Sequence, residues 1–204
     1  MTTAKAADVT PSSLGYSMPA EWAPHRATWL AWPHNRETWP AFLENVRGVW
    51  IQMIAALAPY ERVCLLVNDE TAKRDVGTRL KNAGTALDNV TLLTIPTVHV
   101  WMRDYGPTFV TRASGDRPLA CNDWIFNGWG GKYKAYEEDD RVAPAIASLL
   151  EIPVFEHDIV LEGGSIEVNC AGTCLTTEQC LLNKNRNPHL SRGEIEERLK
   201  GALG

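Results

Sequence analysis

Two carboxylates stand where this sequence could do chemistry. In WMRDYGP (101–107), Asp104 sits beside Trp101 and Arg103 on a tight turn before an apolar strand signal. In LEGGS (161–165), Glu162 precedes two glycines and another strand signal. Both acids follow apolar segments, so both are expected to be substantially buried, and a buried carboxylate needs a cation or several donors. One reading is internal: Asp104 pairs with Arg103 or caps local amides, and Glu162 accepts from the amides of its own loop. The other joins the two acids around a guanidinium, whose planar fork of donors matches a carboxylate. An indole face adds cation–π attraction, and glycines at 128, 130, 131, 163 and 164 let backbone approach a ligand closely. From spacing alone both readings stay open.

The other reactive residue types give weaker signals. The five cysteines are Cys64, Cys121, Cys170, Cys174 and Cys180. Cys64 and Cys121 fall in apolar strand segments and read as small core residues. Cys170, Cys174 and Cys180 have the spacing C-x3-C-x5-C, without the second ligand pair or tight knuckle of a zinc site. Cys170 and Cys174 flank a turn and are close enough in sequence for an adventitious disulfide. His25, His34, His99, His157 and His189 have no partner at catalytic spacing and read as structural or exposed. The run Glu137–Asp140 reads as a solvated face at a helix start. Asn183, Asn185, Arg186 and Asn187 read as satisfying backbone in a turn.

Composition narrows the classes of function. The chain has 204 residues with 20 Lys+Arg against 25 Asp+Glu, a net charge of −5, which argues against a nucleic-acid partner. A hydrophobic content of 45% is enough to build a core. No apolar run approaches the roughly 20 residues of a membrane span. The opening MTTAKAADVTPSSLGYS lacks an apolar signal region, so residues 1–17 are expected to be a disordered tail. An odd cysteine count without a secretory signal points to a reducing cytoplasm. Five of the eight tryptophans (Trp22, Trp29, Trp32, Trp39, Trp50) crowd one segment, either as packing indoles or as an aromatic wall for a cation.

The periodicity predicts an α/β chain. Strands are expected over 27–32, 62–67 and 90–95, with helices over 41–58 and 71–83 between them. Residues 101–107 and 127–133 read as loops. Hairpins are expected from 108–112 with 119–126, and from 165–170 with 174–177. Between them lie a helix capped by Asp139 or Asp140 and reaching Leu150, and two short strands, 153–155 and 158–161. A capping box of Ser191 and Glu194, with Leu190 stapled to Ile195, opens a last helix that Gly204 stops. The order loop, strand, strand, helix, strand starts near Asp104 and begins again near Glu162, which suggests repeated modules; the second lacks its closing strand.

The stretches MPAEWAPHRATWLAWPHNRETWP (18–40), WMRDYGPTFV (101–110), NGWGGKY (127–133), LEGGSIEV (161–168) and LTTEQCLLNKNRNPHLSRGEIEE (175–197) resemble the agmatine deiminases, members of the Porphyromonas-type peptidylarginine deiminase family in the guanidine-modifying superfamily. The resemblance spans residues 18–204. It implies a pentein fold, a five-bladed α/β propeller of ββαβ units around a substrate channel, of which this chain would hold the N-terminal part, roughly half the blades. It implies hydrolysis of agmatine to N-carbamoylputrescine and ammonia without metal or organic cofactor. A cysteine thiolate attacks the guanidinium carbon, ammonia leaves, and water hydrolyses the S-amidino intermediate with a histidine as acid and base.

Carried over by motif, Asp104 matches the first guanidinium-binding aspartate, Glu162 the glutamate that orients the catalytic histidine, and Trp101 a channel tryptophan. Trp129 lies in a motif loop and is expected to contact substrate. The family's histidine, in a His-x-Asp motif, and its late nucleophilic cysteine have no counterpart here, so the chain alone is expected to be inactive. Two alternatives are carried: a peptidyl-arginine or other guanidine deiminase, and a short non-catalytic protein that binds a guanidinium or complements a second chain. The expected partner is small-molecule agmatine, with no nucleic acid or membrane, and a homo-oligomer is open.

Overall fold

The structure, a computed structural model, describes residues 9–204. The expected tail over 1–17 falls partly on residues 1–8, outside the described residues. Over 9–17 the chain is structured: Tyr16 is buried and its hydroxyl donates to the Arg117 carbonyl, and Ser17 pairs with Thr111.

Strand β1 (Ala27–Ala31), helix α1 (Leu43–Leu57), strand β2 (Arg62–Val67), helix α2 (Glu70–Asn82) and strand β3 (Val90–Thr94) form a parallel sheet in the order β1-β2-β3. Five of the six residues of β2 are buried, as the centre of a parallel sheet covered by helices requires. Asp69 caps α2 by accepting from the Ala72 amide at 2.7 Å. One core forms between this sheet and its helices from Trp32, Ile54, Val63, Leu65, Val67, Val76 and Leu80. Two of the crowded tryptophans serve that packing. Trp32 is buried in it, Trp50 packs against it while donating to the Ala31 carbonyl at 2.8 Å, and Trp22 is exposed.

The single turn α3 (Met102–Tyr105) leads into β4 (Thr108–Thr111) and β5 (Leu119–Ile125), an antiparallel pair. The turns α4 (Gly128–Gly131) and α5 (Glu137–Asp140) and the helix α6 (Val142–Leu150) then return the chain to β6 (Val154–Val160), parallel to β5. This is one complete ββαβ module. Two short strands were expected where β6 runs unbroken; its register slips opposite Asp123 and Ile125 instead. The polar middle of β6 hid its continuity. His157 turns inward, stacks on Trp124 at 4.1 Å and bonds the Asn122 side chain at 2.7 Å, and burial lowers its pKa to about 4.

Neither Asp139 nor Asp140 caps α6, whose N-terminal residue Arg141 makes no side-chain cap. Asp140 accepts from the Phe126 amide and Asp139 is fully buried, so only Glu137 and Glu138 form the expected solvated face. The second module begins with the hairpin β7 (Ile166–Val168) and β8 (Cys174–Thr176), followed by α7 (Glu178–Leu181) and α8 (Arg192–Leu203). Among the described residues no strand follows α8. Its apolar face, Ile195, Leu199, Ala202 and Leu203, joins a core with Trp124, Ile159, Leu161 and Ile166, which ties the two modules together.

Both halves of the capping box form: Ser191 and Glu194 exchange side-chain to backbone bonds, and Leu190 packs on the core that holds Ile195. Ser191→Ala leaves the first turn of α8 without its acceptor and is expected to cost about 1 kcal/mol. Urea unfolding of the variant beside the parent chain checks this.

Candidate functional site

The backbone of α3 is set by short bonds, Asp104 N–H to the Trp101 carbonyl and Gly106 N–H to the Met102 carbonyl, both 2.9 Å. Buried Tyr105 fastens the turn from below, donating from its hydroxyl to the His99 carbonyl at 2.6 Å. Arg103 does not pair with Asp104. Its guanidinium reaches across to the carbonyls of Gly163 (3.1 Å) and Ile166 (3.3 Å) and to the carboxylate of Glu21. It thereby clamps the first acidic loop to the second.

The clamp brings Asp104 against Gly164, where a Cβ would collide with Asp104 Oδ1, and Gly163 against the Arg103 carbonyl, with the same consequence. Asp104 accepts from the Gly164 amide and, at 3.2 Å, from Trp129 Nε1. Half-burial raises its pKa; these two bonds and the charge of Arg103 oppose the shift without cancelling it. Among the described residues, Asp104 therefore carries a carboxylate with donors but no bonded cation.

Glu162 follows the last buried residue after β6, Leu161, and is itself only 4% exposed. The amide and hydroxyl of Ser165 go to its backbone carbonyl, not to its carboxylate. Oε1 accepts from Arg186 Nε at 2.7 Å, while Oε2 is buried with no partner. This corrects the expectation for Arg186, which neutralises Glu162 rather than satisfying backbone. Asn187 does fill that role, bonding the Val160 and Leu181 carbonyls and the Val160 amide.

The loop 127–133 is a left-handed turn. Trp129 (φ 57°) and Gly130 (φ 76°) both adopt backbone that L residues avoid. Asn127 fixes it by accepting from the Gly130 amide at 2.7 Å, and His99, Phe126 and Tyr133 surround the indole edge-to-face at 5.1, 4.9 and 5.5 Å. Gly130 is needed here for space as well, since a Cβ there would strike Arg186 and Asn185. The glycines expected to admit a ligand thus mostly admit this chain's own groups; only Gly131 faces open space. Trp101 stands at the head of α3 with half its surface exposed. Trp129, Asp104 and Gly164 are bonded together, and Glu162 joins them through the adjoining glycine and through Arg186, which packs on Gly130.

Charge marks this place better than volume does. The larger cavity, about 380 Å³, is lined by Met18, His25, Trp29, Met102, Arg103 and Phe109 among others, and neither carboxylate lines it. Among the described residues no cluster of His, Cys, Asp or Glu has the arrangement to hold a metal. All five cysteines are free; Cys64 and Cys121 are buried, with the Cys121 thiol pushed up to about 12 by burial, while Cys170 and Cys174 are exposed.

A family model described as Porphyromonas-type peptidyl-arginine deiminase matches residues 17–204. The chain belongs to that family. It is 40% identical over 206 residues to the agmatine deiminase of Medicago truncatula, covering 96% of this chain and 53% of the relative. It is 40% identical over 201 residues to the agmatine deiminase of Ectopseudomonas mendocina, covering 95% and 52%. Among solved structures, the agmatine deiminase of Enterococcus faecalis superposes with a TM-score of 0.86 at 32% identity, over 95% of this chain and 52% of that one. The substrate-bound agmatine deiminase of C. jejuni superposes with a TM-score of 0.78 at 27% identity, over 91% and 52%. The chain spans about half the length of the curated relatives it matches. The fold is the pentein of those neighbours, in the part this chain covers.

The sequence showed the family and marked both acids as candidates, and missed Arg186. The only signal for Arg186 was its place beside Lys184 as one of two cations in an asparagine-rich run. Removing it as Arg186→Met strands the Glu162 carboxylate in the interior and is expected to cost about 3–5 kcal/mol. Combining it with Glu162→Gln removes the stranded charge, so the double variant is expected to be more stable than Arg186→Met alone. Chemical denaturation of the three variants tests this coupling.

Proposed function

We propose that this chain supplies the cation-binding half of an agmatine-hydrolysing site. The observation that carries the reading is Asp104: a half-buried carboxylate, oriented by Trp129 and Gly164, with no bonded cation of its own. A planar guanidinium offers the paired donors that such a carboxylate accepts. Trp129 holds the group through its indole N–H, and the half-exposed Trp101 at the head of α3 offers indole surface to a cation. Holding the cation here presents its central carbon to a nucleophile, and a guanidinium bound to an aspartate is fixed in one plane.

Glu162 serves a second function. Its Oε1 is fixed by Arg186 and its Oε2 is free, which suits acceptance of an imidazole N–H. In the whole enzyme that imidazole belongs to the histidine that protonates departing ammonia and then activates water. The thiolate forms a bond to the guanidinium carbon, one amino group leaves as ammonia, and water replaces sulfur to give N-carbamoylputrescine. This product lies on a route to putrescine, and the free thiols suit a reducing cytoplasm. These 204 residues do not turn agmatine over alone, because the thiols of Cys64 and Cys121 are buried and protonated and Cys170, Cys174 and Cys180 lie on the β7–β8 hairpin and α7. Residues 18–204 form one part of the propeller domain.

Calorimetric titration of the chain with agmatine tests the reading. Asp104→Asn is expected to weaken binding at least tenfold, the worth of about 1.5–3 kcal/mol for a charged hydrogen bond. Equal affinity in the variant would overturn it. Agmatine is expected to bind more tightly than an arginine-containing peptide; the reverse preference favours the peptidyl-arginine alternative. Ammonia release is expected to be absent, and turnover abolished by Cys170→Ser or Cys174→Ser would contradict the assignment of the thiols.

Acidity gives an independent check. Only ionised Asp104 holds the cation, and burial raises its pKa. Affinity is therefore expected to fall as pH drops, with a midpoint above the ordinary aspartate range, and to recover on return to neutrality.

A further inference from the structure

We propose that the buried pair His99–Asp139 is a positioning device for the site, setting the indole N–H that Trp129 donates to Asp104. The inference rests on the reading of Asp104 and Trp129 given above. His99 is 5% exposed and Asp139 is fully buried, and their side chains meet at 2.7 Å, His99 Nδ1 to Asp139 Oδ2. An ionised Asp139 can only accept, so Nδ1 carries the proton and the ring is held in one tautomer. The other carboxylate oxygen, Oδ1, accepts from the amides of Val98 at 2.8 Å and His99 at 3.2 Å. Ring and backbone of His99 are thus tied to the same carboxylate.

His99 then touches the donor of the Asp104–Trp129 bond and, through Tyr105, the turn that carries its acceptor. Its ring meets the indole of Trp129 edge-to-face at 5.1 Å and 84°, and it also contacts Tyr133 at 5.0 Å. Its carbonyl accepts from the hydroxyl of Tyr105, the residue next to Asp104. One residue therefore references the acceptor through the backbone and the donor through an aromatic contact. Trp129 needs such an external hold because its left-handed backbone is not preferred on its own. Stability is a poor explanation for the pair, since two buried hydrogen-bonded groups can be replaced together by apolar groups of the same shape at little loss. Their placement behind the indole is the better one.

The test is the set of indole N–H resonances of the ¹⁵N-labelled chain, with the Trp129 signal assigned by its loss in Trp129→Phe. His99→Asn keeps a donor toward Asp139 but removes the ring from Trp129. The Trp129 resonance is expected to shift or broaden while that of Trp50, in the other core, stays. Agmatine affinity is expected to fall about two- to tenfold, the span of one aromatic contact. Asp139→Asn is the second variant: it keeps Oδ1 for the two amides but presents an N–H to Nδ1, forcing the other tautomer, and is expected to move the same resonance. An unmoved Trp129 resonance with unchanged affinity in either folded variant overturns the proposal. If the parent chain binds no agmatine, the reading of the site fails, and the resonance still decides whether His99 positions Trp129.

Discussion

Gly163 and Gly164 carry no Cβ, and the contact between the two acidic loops exists only on that condition. A side chain at Gly164 would displace the Asp104 carboxylate, and one at Gly163 would displace the carbonyl of Arg103. With both absent, the second loop can lie directly on α3, and Arg103 can span the junction to two carbonyls on the far side. The two modules are thus registered at their loops by a backbone approach and at their far ends by the core around Trp124 and α8. A rigid junction matters because a carboxylate that shifts by an ångström no longer meets a planar cation in both donors.

The two carboxylates meet burial differently, and the difference divides their work. Glu162 is deeper and has a cation of its own in Arg186, so its charge is settled within the fold. Asp104 is shallower and receives only N–H donors, which hold it in place without neutralising it. Its raised pKa reports that deficit. A cation arriving from solvent removes the deficit, so part of its binding free energy comes from relieving a cost already built into the folded chain. Had Arg103 paired with Asp104, as its adjacency in sequence allows, that driving force would be gone. The reach of Arg103 to the neighbouring loop therefore tightens the junction and leaves Asp104 open at once.

What could be read from the sequence followed the range of the forces involved. β2 appears over Arg62–Val67 as its apolar run predicts, and the Ser191–Glu194 box forms, because both depend on neighbours within a few residues. The motif loops were legible as motifs but not as shapes. A single turn such as α3 has no period to detect, and the left-handed turn at Trp129 depends on the rings of Phe126, Tyr133 and His99, the last brought from another segment. Asp139 was hidden by its context. A run of four acids reads as a wet surface, and only its partner His99, 40 residues earlier, draws one of them inside. Arg186 was hidden in the same way, 24 residues from the carboxylate it neutralises. Family resemblance recovered the positions of Asp104 and Glu162, whereas the groups that hold them are pairings in space.

The energetics of Trp129 show why those groups are needed. A non-glycine residue in left-handed backbone costs on the order of 1–3 kcal/mol. Each aromatic contact returns about 0.5–1.5 kcal/mol beyond burial, and three rings face this indole. The two sums are of similar size, so the strained turn is held with little margin, and loss of one ring is enough to tip the balance. The hydrogen bond to Asp104 is worth about 1 kcal/mol more and is available only while the turn persists. The indole and the carboxylate therefore form a coupled unit: what loosens the ring box also frees Asp104 to rotate, and a cation seated on Asp104 reinforces the acceptor toward which Trp129 points.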